Sequence, residues 1–120
     1  MAYTDLTQVR DCYARLRELV IHNAGGWEDV DSRSKVERLC STAMQALEDS
    51  ETRERLRTVQ SQAGDLFSRE GHLKWSRRNM SGADYLRLQI LIALEAVNTR
   101  LFILDTLRTR TSQMPHPHAG

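Results

Sequence analysis

The sequence predicts an all-α fold, an elongated antiparallel four-helix bundle closed by a long C-terminal helix. Three observations carry this reading. Of the 120 residues only two are proline, Pro115 and Pro117, so nothing of that kind breaks a helix before the end. Apolar residues recur at alternating spacings of three and four, which gathers them on one helical face. Capping residues stand before several of these periodic runs. With 40% hydrophobic and 28% charged residues, the composition is that of a globular chain. The length suits one domain, 1–112, followed by a flexible tail, 113–120.

The first helix is expected near 5–24. Leu6, Val9, Tyr13, Leu16 and Val20 share a face. Thr4 or Asp5 can cap its start, and Gly25 with Gly26 supplies a stop. The second is expected near 32–49, with Val36, Leu39, Cys40, Ala43, Met44 and Leu47 as its apolar side. Ser34 and Glu37 fit a capping box, while Asp29 and Asp31 also suit the positive end of that helix.

A third periodic run, near 51–70, contains Leu56, Val59, Ala63, Leu66 and Phe67. No Gly or Pro separates it from the second, yet its phase differs. Over nine residues at about 100° each, Leu56 lands opposite Leu47. A reversal near Asp49 and Ser50, either of which can cap, lets both stripes face one core. Gly71 then interrupts the pattern. The last helix, near 81–108, opens with Ser81 as N-cap, Asp84 at its third position, and Met80 and Tyr85 placed for a hydrophobic staple.

Asp84 to Leu107, "DYLRLQILIALEAVNTRLFILDTL", is the most aliphatic part of the chain. Arg87, Glu95, Arg100 and Asp105 interrupt it too often for a transmembrane span. Projected on a helix, Leu86, Ile90, Leu94, Val97, Leu101 and Leu104 form a bundle seam. Tyr85, Ile92, Ala96, Ile103 and Leu107 form a second stripe, with Leu88 beside it, leaving a narrow polar strip that Leu91 and Phe102 interrupt. The second stripe is expected to be covered, either by the chain itself or by a partner. The expected core is the seam from Ile90 onward with Leu6, Val9, Tyr13, Leu16, Val20, Val36, Leu39, Ala43, Leu47, Leu56, Val59 and Phe67.

Net charge is +1, which points to neither DNA nor an anionic membrane. Residues 1–49 nevertheless hold six basic and nine acidic groups, and the remainder eleven and seven. Cys12 and Cys40 lack metal or redox spacing, consistent with two buried thiols in a reduced, cytoplasmic protein. No phosphate loop, nucleophile elbow or zinc motif occurs, and no cofactor or metal is expected. His116 and His118 could supply two ligands, too few for a closed site. His22 suits a helix C-terminus, and Glu95 an exposed edge.

The segment "SREGHLKWSRRN" combines Arg69, Lys74, Arg77 and Arg78 with Trp75. Cations beside an aromatic ring can stack a base or clamp an acidic peptide, although Trp75 can equally plug the end of the bundle. "GHLK" within it partly resembles the motif of histidine phosphotransfer domains, which implies a phosphorylated histidine at His72. That family places Lys three residues after the histidine and then Gly; here Lys74 follows by two, and Trp75 stands next.

The expected function is therefore a non-enzymatic interaction protein: an adaptor, chaperone, inhibitor or assembly subunit. It would bind itself, as a homodimer, or another protein through Tyr85, Leu88, Ile92, Ala96, Ile103 and Leu107. The alternatives are a nucleic-acid or nucleotide binder using Arg69, Lys74, Trp75, Arg77 and Arg78, and phosphotransfer at His72.

Overall fold

In a computed structural model describing residues 6–22 and 29–113, the described chain forms α1 (Leu6–His22), α2 (Val30–Gln45), α3 (Ser50–Leu66), α4 (Arg69–Lys74) and α5 (Gly82–Gln113). The four long helices pack in a ring, α1 on α2, α2 on α3, α3 on α5 and α5 on α1. The molecule is elongated, 65 × 27 × 21 Å. Ends anticipated at Thr4, Asp5, Gly25 and Gly26, and the tail beyond Gln113, lie outside the described residues.

Side-chain oxygens set the helix starts. Asp29 accepts from Ser32 N at 3.0 Å and Ser32 Oγ at 2.7 Å, so α2 begins there. The Ser34–Glu37 capping box is thereby corrected, because both residues already lie inside the helix. The Asp29 amide also donates to the Phe67 carbonyl at 3.1 Å, tying the start of α2 to the end of α3. Asp49 caps α3, accepting from Thr52 N at 3.0 Å and Thr52 Oγ1 at 2.7 Å, and α2 ends at Gln45. The helices are two, as the phase requires. Ser81 Oγ accepts from Asp84 N at 3.1 Å at the head of α5.

Gly71 does not break a helix. It lies inside α4, a short helix of six residues capped by Ser68 Oγ, and serves close packing: a Cβ there would collide with the Asp65 backbone. A tight turn follows, in which Arg77 N donates to Met80 O at 2.8 Å and Met80 N to Arg77 O at 3.3 Å.

The core holds most of the expected residues, including Leu16, Val20, Val36, Leu56, Val59, Phe67, Ile90, Leu94, Val97 and Leu101. Tyr13, Leu39 and Leu104 are only partly buried and pack against its edge. Leu66 and Ala93 are also enclosed. Cys12 and Cys40 are buried free thiols; burial pushes Cys40 up to about 12 and raises Cys12. No helix among the described residues is long and apolar enough to cross a membrane.

Candidate interaction surface

Helix α5 has 32 residues, whereas α1, α2 and α3 have 17, 16 and 17. At 1.5 Å per residue it is nearly twice as long as its neighbours, so they cannot cover all of it. Ion pairs mark where cover ends. Arg100 meets the N-cap of α3 at Asp49 (2.9 Å), and Asp105 meets Arg10 of α1 at 3.2 Å. From Thr106 to Arg110 every residue is exposed. The last helix overhangs the bundle.

One side of α5 carries the seam, with Leu86, Ile90, Ala93, Leu94, Val97 and Leu101 fully or nearly enclosed. The second stripe faces outward. Leu88, Ile92, Ile103 and Leu107 are exposed, Ile92 to 56% and Leu107 to 51%. Ala96 is half-buried beside them. Phe102 is exposed to 68%, the most of any large apolar side chain among the described residues. It interrupts the polar strip, and a bulky ring exposed there adds to the apolar face. Contiguous exposed apolar side chains of this kind mark interaction surfaces.

Tyr85 belongs elsewhere. Its ring stacks on Trp75 at 5.5 Å with an interplanar angle of 15°, and the Arg77 guanidinium lies 4.4 Å over it. Trp75 also donates Nε1–H to Asp65 Oδ2 at 2.7 Å, with Lys74 and Arg77 5.3 and 5.4 Å from its ring. The structure thus brings Lys74, Trp75, Arg77 and Tyr85 together into one corner between α3 and α5. In that corner the aromatic faces are already occupied by the chain's own groups. Arg69 and Arg78 are exposed.

His72 is buried, and its Nε2 engages the Leu66 carbonyl. A carbonyl oxygen only accepts, so Nε2 carries the hydrogen. Such a ring packs the α3–α4 corner and is not presented to a phosphoryl donor, which corrects the expectation drawn from "GHLK". His22 sits at the last turn of α1, 3.5 Å from Glu18, and Glu95 is exposed. His116 and His118 lie outside the described residues, among which no group of three potential metal ligands converges.

A second feature is a groove of about 590 Å³ between α1 and α2. Leu19, Leu39 and Thr42 are half-buried along it, with Arg15, Lys35 and Arg38 among its lining residues. Arg15 pairs with Asp11 at 3.1 Å.

No protein-family model matches this chain, and neither the curated proteins nor the solved structures contain a significant match.

Proposed function

We propose that this chain is a non-enzymatic, cytoplasmic interaction protein that works by burying the outward face of α5 against another protein surface. One observation carries the reading: Leu88, Ile92, Phe102, Ile103 and Leu107 all lie exposed on a single helix. Their burial would gain roughly 25 cal/mol for each Å² removed from water. The seam on the opposite side of α5 faces the core, so the outward residues are free to serve binding.

The test compares Ile92→Asp and Ile103→Asp with Ile90→Asp, whose side chain lies in the core. Light scattering over a concentration series reads self-association, and affinity capture from native extract reads other partners. The two outward variants should keep wild-type helix content and melting temperature while losing association. Ile90→Asp should unfold. Unfolding of the outward variants, or association equal to wild type, would overturn the proposal.

The nucleic-acid alternative is weaker, because a base stacking on Trp75 must displace Tyr85 or the cations already over the ring.

A further inference from the structure

The spacing of one outward stripe of α5 reads the same from both ends. Leu88, Ile92, Ala96, Thr99, Ile103 and Leu107 follow one another at steps of four, four, three, four and four. Size follows the same mirror, large at the two ends and small at the centre. Leu88 and Thr99, Ile92 and Ile103, and Ala96 and Leu107 are each eleven residues apart. Eleven residues make just over three whole helical turns, so the stripe runs nearly straight along an arc of about 100°.

We infer that the occupant of this face is a second copy of the chain, its α5 antiparallel to the first and crossing it between Ala96 and Thr99. The inference rests on the docking role proposed above and names its partner. A two-fold interface brings one patch against itself, so residues at equal distances from the axis meet. Here that sets Leu88 against Leu107, Ile92 against Ile103, and Ala96 against Thr99. The small central residues let the helices approach closely, while the flanking large ones fill the space on either side. A parallel pair needs no such mirror in its sequence.

The overhang favours the same arrangement. Leu107 stands beyond the end of its own bundle, and antiparallel pairing lays it on Leu88 of the partner's body. Charge allows the approach. Asp84 pairs with Arg87 at 3.0 Å, Arg100 with Asp49 at 2.9 Å, and Asp105 with Arg108 at 2.9 Å, all within one chain. Two copies therefore meet with most bordering charges already compensated. Covering the exposed apolar side chains of both copies removes on the order of 1,000 Å² from water, the lower end for a specific interface. The dimer should accordingly be a weak, reversible one.

Single cysteines read the register directly. About a two-fold axis between Ala96 and Thr99, the two copies of Ile92 lie roughly 16 Å apart along the helix, and those of Thr99 about 4–5 Å apart. A disulfide requires Cα atoms within about 7 Å. Under mild oxidation Thr99→Cys should form a covalent dimer by itself. Ile92→Cys and Ile103→Cys should each fail alone and cross-link when mixed. Wild type, with Cys12 and Cys40 buried, supplies the background. Self-cross-linking of Ile92→Cys would overturn the antiparallel register, and absence of all cross-links would overturn the second copy as occupant. In that last case the docking role stands or falls separately, on whether Ile92→Asp loses a partner captured by wild type.

Discussion

Arg100 of α5 and Asp49 at the head of α3 are joined by two hydrogen bonds, Nε to Oδ2 at 3.1 Å and Nη2 to Oδ1 at 2.9 Å. The same carboxylate caps α3 by accepting from Thr52. One side chain thus ends the α2–α3 reversal, starts a helix and clamps that helix to another 51 residues away. It also marks the level above which α3 no longer shields α5. Past it along α5, Phe102, Ile103 and Leu107 are exposed.

Asp49→Asn tests the clamp, because Asn caps a helix about as well as Asp but carries no charge. The Arg100 guanidinium, with Thr52, holds the Asp49 carboxyl well below the usual carboxylate range. A depressed folded-state value stabilises the fold fully above the unfolded value, about 3.9, and the contribution fades as pH falls toward the folded one. Arg100 is about one-third exposed, so solvent screening limits the loss in the variant to about 1 kcal/mol at pH 7. Denaturant melts at pH 7, 4 and 2.5 should show that gap shrinking over the acidic steps. A gap unchanged across the series would mean that the charge contributes nothing.

The same substitution should have opposite signs at two glycines. A Cβ on Gly82 would strike the His72 carbonyl, whereas one on Gly64 of α3 meets nothing within 4 Å. Gly64→Ala should therefore stabilise by about 0.5–1 kcal/mol through helix propensity. Gly82→Ala should cost about 1–3 kcal/mol, because the α4–α5 corner must move apart. Thermal melts of both variants settle the comparison, and a stabilised Gly82→Ala would mean the corner is loosely packed.

Spacing and phase in the sequence account for most of this fold. The helices at α1, α2, α3 and α5 follow from spacing and phase, since Leu47 and Leu56 cannot share a face on one continuous helix. Ser81 and Asp49 are readable as caps because each precedes a periodic run. The α4 turn was not readable: Gly71 looks like a breaker until the Asp65 backbone is seen against it. Tyr85 fell on the outward stripe by angle alone, and only the placement of Trp75 withdraws it. Phe102, set within the polar strip by the same projection, is exposed as that projection predicts. Periodicity reports which residues share a face, and tertiary contacts decide which faces are covered.

Trp75 gives the sharpest separation between a packing role and a binding role for the basic segment. Its indole N–H donates to the Asp65 carboxylate while its ring stacks on Tyr85. Trp75→Phe keeps an aromatic ring but removes the donor, and should cost about 1–2 kcal/mol, as expected for a hydrogen bond to a charged acceptor. Asp65→Asn should cost less alone, and the two changes together should be markedly less than additive because they share one interaction. A double-mutant cycle by denaturant melts measures that coupling. Full additivity, or a Trp75→Phe variant as stable as wild type that instead loses salt-sensitive binding to single-stranded nucleic acid, would return the segment to recognition.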